Sequence, residues 1–306
     1  MSGYRGSPDR LLAARVLAVL TLAVAVPSAQ WWWHPSRPVV LVVAAVAGLV
    51  SAPLVTPVVD RWCARVAIVV NAPRWWIAPT NAALWAGGAV VAGPQPYVAA
   101  WLTLSTFAVW ASWIDLHTHR IPNASSRTSA LLVSILLSGA AYITGEPGAL
   151  VRALTAALVT FGGLFTLATI TRGQVGMGDA WFCVPLTLVC GYVAWERVGA
   201  ALFAALLLMF PVAWLRVTIG RAGGYLAAGP YLLAGTVVAL ADSPTLSTAV
   251  VAVTVLSMLA GVTVLITRLG VGAAARVTRR RLPRAVAPPS PRHRPGGPDS
   301  PWPSRR

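Results

Sequence analysis

The 306-residue chain is 57% hydrophobic and only 10% charged, with a mean hydropathy of +0.70. An ordinary soluble domain carries about 25% charged residues, so this composition excludes a water-soluble fold. Disorder is excluded for most of the chain as well, because disordered segments have low hydrophobicity. The composition therefore predicts an all-α polytopic membrane protein.

Ten apolar runs follow one another along the chain, separated by short segments of Arg, Pro, Gly, Ser and Asn. A helix needs about 20 apolar residues to cross a bilayer. The third and ninth runs are short, so we expect about 8–10 transmembrane helices. The predicted spans are 11–28, 38–59, 81–93, 98–114, 129–144, 149–170, 180–194, 198–215, 229–242 and 248–267.

The basic residues predict how these spans are oriented. All 24 are arginine, against eight acids, which gives a formal net charge of +16. If the ten spans alternate, 21 arginines lie on one side of the membrane and 3 on the other. By the positive-inside rule, both termini are expected in the cytoplasm of a multi-pass cell-membrane protein. Trp31, Trp32 and Trp33 then lie at the outer end of the first span, where indoles anchor helices in the headgroup region.

The carboxyl-terminal segment differs in composition from the rest of the chain. Residues 276–306 are rich in Arg, Pro, Gly and Ser, and such a segment is predicted to be disordered. Its arginines beside the last span favour anionic membrane lipids as partners. No nucleic-acid partner is expected.

The eight acids are few enough to sort by predicted position. Three lie in short outer loops, two in the termini, and one at an inner span end beside an arginine with which it is expected to pair. These are Glu146, Glu196 and Asp242; Asp9 and Asp299; and Asp60 beside Arg61. None of these six needs a functional explanation.

Asp115 and Asp179 are different, because each stands at the predicted cytoplasmic end of a span. They lie on opposite sides of the two-span hairpin over 129–170, so the fourth and seventh spans can bring their carboxylates together. Acids at or inside the membrane edge are costly and indicate function. Gly176 and Gly178 precede Asp179 and permit close approach of another chain segment. The alternative for Asp179 alone is an N-cap, where aspartate is favoured.

Three segments around these residues resemble the motifs of the type IV prepilin peptidases. IDLHTHRIPN (114–123) is similar to the family's first aspartate motif, and GMGD (176–179) to its second, GxGD. AAGPYLLAG (227–235) is similar to the family's late Gly-Pro-Phe/Tyr-Leu segment. The family usually has a lysine two positions after the second aspartate, where this chain has Trp181.

The resemblance implies a membrane aspartyl endopeptidase that removes the short basic leader of prepilin or pseudopilin precursors in type IV pilus or secretion assembly. It implies Asp115 and Asp179 as the catalytic pair. The supporting motif residues are Gly176, Gly178, Ile121, Pro122, Asn123, Gly229 and Pro230. No cofactor or metal is expected for cleavage. S-adenosylmethionine is needed only where methylation is retained, and the absence of the family's paired loop cysteines argues against that activity.

The same features predict how the chain is divided. We expect an amino-terminal segment with an extra span over 1–37, a peptidase-like membrane domain over 38–242, a last span within 243–275 and the tail over 276–306. Two other functions remain open at this point. One is a non-cleaving family member acting in pilus or secretion assembly, and the other is an ion- or proton-coupled transporter that uses the same two aspartates.

We expect no metal-binding or catalytic role for His117, His119 or the cysteines. Histidines two apart on a helix do not face the same way, so solvated loop side chains are expected rather than metal ligands. Cys183 and Cys190 stand in an apolar run and are expected to pack as small apolar residues.

Overall fold

The computed structural model describes residues 8–171, 176–218 and 226–241. The chain divides into two units, 1–261 and 262–306, and all described residues belong to the first. Within the described ranges the regular structure is entirely helical. The helices are α1 Pro8–Trp33, α2 Arg37–Arg65, α3 Ile77–Ala92, α4 Val98–Thr118, α5 Asn123–Thr144, α6 Pro147–Ile170, α7 Met177–Val193, α8 Trp195–Thr218 and α9 Gly229–Ala241.

These helices confirm the predicted all-α polytopic class. Five of them, α1, α2, α5, α6 and α8, are long and apolar enough to cross a membrane. Three others, α3, α7 and α9, are apolar but have only 16, 17 and 13 residues. Each of the first nine predicted spans coincides with a helix. The predicted tenth span (248–267) and the tail (276–306) lie outside the described residues.

Helix α4 lies at the centre of the bundle. Every side chain from Val98 to Asp115 is buried, and the helix packs against α1, α2, α3, α5, α7 and α9. A helix without a solvated or lipid-facing side is typical of a core element. It ends at His119, which adopts a left-handed conformation with φ 52° and whose N–H donates to the Asp115 carbonyl at 2.8 Å. The first predicted catalytic residue therefore belongs to the last buried turn of the central helix.

A buried polar cluster ties α2, α3 and α4 together. The Asn81 amide nitrogen donates to the Gly48 carbonyl (2.8 Å), Ser51 Oγ (2.8 Å) and Thr106 Oγ1 (3.2 Å). Trp85 Nε1 also donates to Thr106 Oγ1 at 3.1 Å. Between apolar helices in lipid, such bonds stabilise association because the hydrophobic effect does not separate protein from lipid tails. The cluster fixes α4 against its neighbours.

Two arginines bind the carboxyl-terminal ends of short helices. Arg152 donates to the carbonyls of Gly191 (2.8 Å), Tyr192 (2.5 Å) and Val193 (3.2 Å) at the end of α7. Arg197 donates to the Ala239 carbonyl at the end of α9 (2.7 Å). Cationic groups satisfy the unpaired carbonyls there and complement the helix dipole. Arg152 and Arg197 are two of the three arginines that the predicted spans place on the outer side; the third is Arg37. They bind the carboxyl-terminal ends of α7 and α9, whose amino-terminal ends carry the second and third predicted motifs.

The structure corrects the predicted partner of Asp60. Its carboxylate binds Arg74 through two hydrogen bonds, at 2.8 and 3.2 Å, rather than its neighbour Arg61. Adjacent residues on a helix point in different directions, whereas the turn between α2 and α3 brings Arg74 back to the end of α2. Two other predictions are confirmed: Cys183 and Cys190 are buried free cysteines.

Candidate active site

Asp115 is held by the backbone of a helix far away in sequence. Its side chain is only 3% exposed, and its Oδ2 accepts a hydrogen bond from the Gly229 N–H at 2.7 Å. Gly229 is the first residue of α9, so the carboxylate lies at a helix amino terminus, where free N–H groups and the helix dipole favour negative charge. The backbone of the third predicted motif therefore binds the first aspartate of the predicted pair directly.

Glycine suits this contact. A Cβ atom added to Gly229 would lie 3.1 Å from Asp115 Oδ2 and 3.4 Å from Ile121 Cδ1. The first distance would crowd the carboxylate that the N–H binds, whereas the second is ordinary van der Waals contact. The absence of a side chain at 229 therefore lets the α9 backbone reach Asp115.

Ile121 connects the first motif with the second. It is 7% exposed and lies in the short segment between α4 and α5. A Cβ added to Gly178 would lie 3.0 Å from the Ile121 carbonyl oxygen and 3.2 Å from its Cβ. The first turn of α7 is thus packed directly on the loop that follows Asp115. Ile121 contacts Gly229 as well, so all three predicted motifs meet around this residue.

Asp179 lies in the first turn of α7. Its backbone N–H donates to the Gly176 carbonyl at 3.1 Å, and a Cβ added to Gly176 would lie 2.9 Å from its Oδ2. The predicted N-cap role for Asp179 is wrong in this structure, because Gly176 occupies the N-cap position and Asp179 is the third residue of the helix. Gly176 and Met177 are exposed, so this side of the site is open.

The two carboxylates interact electrostatically. Both lie just beyond the predicted spans 98–114 and 180–194, and neither belongs to the five long apolar helices. Burial, and then the negative charge of Asp115, raise the pKa of Asp179 to about 6. Burial also raises the pKa of Asp115, while the Gly229 hydrogen bond and then the nearby His119 act in the opposite direction. Two carboxylates that influence one another can hold a single proton between them.

The remaining motif residues shape the surroundings of the pair. Pro122 is buried and precedes α5, Asn123 is the exposed first residue of that helix, and Pro230 is the second residue of α9. Proline suits a first helical turn because its missing N–H would have no partner there. These three residues set where α5 and α9 begin and make no hydrogen bond to either aspartate among the described residues.

One interaction beside the site involves a residue that the sequence did not single out. The guanidinium of Arg127 lies over the Trp181 ring, 4.5 Å from its centroid, and the same indole packs on Phe161 at 4.6 Å. Trp181 stands two positions after Asp179, where the resemblance of the second motif leads to the expectation of a lysine. In this chain a cation is therefore present near that position, supplied by α5. The sequence alone offers one signal for Arg127. It is a charged residue in the helix that follows the first motif, four residues after that helix begins.

The histidines show no metal-binding arrangement. His117 Nδ1 lies 2.8 Å from the Trp113 carbonyl oxygen and its ring packs on the Trp113 indole. His119 ends α4. Among the described residues, no group of three His, Cys, Asp or Glu side chains is placed to hold a metal ion.

Taken together, the helix packing and a pair formed by the buried Asp115 and the half-buried Asp179 define a polytopic membrane protein with a candidate aspartyl-protease centre. The comparison with protein families agrees with this class: residues 102–217 match the type IV leader peptidase family. That segment includes Asp115, Ile121 and Asp179, and the match supports the resemblance that the motifs around these residues carry. It lies inside the predicted 38–242 domain and ends before Gly229. Neither the curated proteins nor the solved structures gave a match.

Proposed function

We propose that this protein is an aspartyl endopeptidase that cleaves the short basic leader from prepilin or pseudopilin precursors at the cytoplasmic face of the cell membrane. The observation that carries the proposal is the meeting of Asp115, Asp179 and Gly229 around Ile121. These residues come from three helices, and packing brings the two carboxylates close enough for one to raise the pKa of the other. The family match supplies the reaction class.

Each of the two carboxylates stands at a helix amino terminus. Asp115 accepts the Gly229 N–H at the start of α9, and a hydrogen bond with the Gly176 backbone likewise favours the ionised form of Asp179 in the first turn of α7. The two act as one coupled unit, in which one carboxylate is ionised and serves as the base while the other holds the shared proton and serves as the acid.

Cleavage then follows from these two states of the pair. The ionised carboxylate takes a proton from a water molecule, whose oxygen attacks the scissile carbonyl carbon, while the protonated carboxyl gives its proton to the carbonyl oxygen. The resulting diol collapses as the first carboxyl passes its new proton to the leaving nitrogen and the C–N bond breaks. The second carboxylate recovers its proton from the diol, which restores the starting state.

The position of the pair suits a precursor with an apolar helix and a basic leader. Both aspartates stand at the ends of apolar stretches, where a transmembrane segment of a substrate meets its polar flank. Gly176 and Met177 are exposed beside Asp179, which leaves that side open to an extended peptide. Ionised Asp115 adds one negative charge toward a cationic leader.

The test is cleavage of a candidate precursor by the purified full chain in lipid vesicles. Asp115→Asn and Asp179→Asn should each abolish cleavage, measured as conversion of precursor to mature protein on gels and by mass spectrometry. Asp60→Asn is the matched control, because Asp60 is an aspartate whose carboxylate binds Arg74 and is not a member of the pair. It should cleave at the wild-type rate.

The outcomes separate the three functions under consideration. Cleavage at the wild-type rate by either aspartate variant refutes the assigned pair. Precursor that co-purifies with the wild-type chain but stays intact indicates a non-cleaving assembly partner. Proton or ion flux in the same vesicles, lost in both variants in the absence of cleavage, indicates a transporter.

A further inference from the structure

Arg127 is an exposed cation next to the opening of the candidate site. It lies four residues after α5 begins, and its guanidinium is 4.5 Å from the centroid of the Trp181 ring. Trp181 stands one helical turn after Met177, so both side chains lie on the same side of α7. Met177 is exposed two residues before Asp179. The charge of Arg127 therefore lies on the surface that leads away from this opening.

Three aromatic side chains continue this surface from Arg127 toward the interior of the membrane. Trp181 packs on Phe161 of α6 with 4.6 Å between ring centroids, and Phe161 packs on Phe165 at 5.9 Å. Phe165 is 46% exposed, and the other two rings are half-buried. Phe161 lies nine residues before the end of α6, which is about 14 Å along the helix at 1.5 Å per residue. The aromatic surface formed by Trp181, Phe161 and Phe165 thus begins at a cation and extends into an apolar span.

The proposed substrate has different flanks on the two sides of its scissile bond. The leader before the bond is basic, and the segment after it is an apolar helix that lies in the membrane. The aromatic surface suits the apolar segment, because it is apolar itself and extends along α6 in the same direction. A basic leader on this surface would meet the like charge of Arg127, and like charges brought together are unfavourable.

We propose that Arg127 is a specificity-determining residue, an inference that rests on the proposed cleavage of precursors. Its charge excludes positively charged residues from the substrate segment on the carboxyl side of the scissile bond. It thereby sets the direction in which a precursor lies across the aspartate pair. Stacking on Trp181 holds the guanidinium in place without removing its charge. Arg127 acts on the flank of the substrate and takes no part in the chemical step.

The experiment moves one positive charge along the precursor. A single lysine or, for comparison, a single glutamine is placed in turn at each of the four residues on either side of the scissile bond. The purified full chain in lipid vesicles should cleave the carboxyl-side lysine precursors about fivefold more slowly than their glutamine partners, as for two like charges near a protein surface. The difference should appear in KM with kcat unchanged, because the reacting atoms are not involved. Lysine in the leader should cause no such loss.

Variants of Arg127 separate its charge from its packing. R127E should reverse the preference, so that carboxyl-side lysine precursors are cleaved faster than their glutamine partners. R127Q should remove the preference, and R127K should keep it. R65Q is the matched control, because Arg65 is the exposed last residue of α2 and should leave the preference unchanged.

The inference is refuted if lysine slows cleavage equally on both sides of the scissile bond. It is also refuted if R127E slows lysine and glutamine precursors alike, which would indicate a role in folding or in lipid contact. Binding of the same precursors to D179N and to R127E/D179N separates this inference from the proposed function. A lysine penalty in Kd that R127E reverses supports the role of Arg127 even where the wild type cleaves nothing, whereas equal binding of all precursors refutes it.

Discussion

Replacing Asp179 by asparagine should stabilise the protein at high pH while abolishing its activity. Burial and the charge of Asp115 raise the pKa of Asp179 to about 6, against about 3.9 for an unfolded aspartate. The folded state therefore binds an extra proton between about pH 4 and pH 6, and stability falls as the pH rises through that window. Each unit of difference between the folded and unfolded pKa corresponds to about 1.36 kcal/mol, so the free energy of unfolding falls by about 3 kcal/mol by neutral pH. Asparagine carries no charge at any pH and avoids this loss.

The assay is thermal or denaturant unfolding of the wild type and D179N in the same detergent at about pH 4 and about pH 8. The free energy of unfolding of D179N should exceed that of the wild type by up to about 3 kcal/mol at the higher pH and should equal it at the lower pH. D60N is the matched control: it removes an exposed ion pair with Arg74 and should lose at most about 1 kcal/mol at the higher pH. Equal stability of the wild type and D179N at both pH values would contradict the buried, charge-coupled placement of Asp179.

Three further variants test other contacts of the site and its supports. G229A places a Cβ 3.1 Å from Asp115 Oδ2. It should lower the cleavage rate at least tenfold, which is a loss of about 1.4 kcal/mol in transition-state stabilisation. The amount of folded protein should stay the same. R152Q removes three hydrogen bonds from the end of α7 and should destabilise the protein by about 2–3 kcal/mol, measured by unfolding. W181A removes the partner of Arg127, whereas W181F keeps a ring; cleavage and stability should fall more in W181A, and equal losses would contradict a role for ring stacking.

The helices and the motif residues could be predicted from the sequence because the bilayer imposes a local rule. An apolar segment that crosses lipid must satisfy its own backbone hydrogen bonds, so each apolar run forms a helix. The predicted runs at 98–114 and 180–194 correspond to α4 and α7, and the two aspartates at their ends lie together in the structure. The candidate pair could be predicted from the sequence because position and motif point to the same two residues.

Contacts between distant segments could not be predicted, because no local pattern encodes which helix faces pack together. Gly229 and Asp115 are 114 residues apart, and only the placement of α9 beside α4 lets the Gly229 N–H reach the carboxylate. Arg127 is an ordinary helix-surface charge until α5 packs beside Trp181.

The sequence by itself determined that this is a helical membrane protein, which nine apolar runs form the described helices, and which two acids stand beside the runs that form α4 and α7. The tertiary structure decided that Asp60 binds Arg74, that Arg127 stacks on Trp181, and that the Gly229 N–H binds Asp115. The physical reason is the distance along the chain over which each property is determined. Hydropathy and helix formation depend on neighbouring residues, whereas the charge state of a buried carboxylate depends on every group that packing brings within a few ångströms of it.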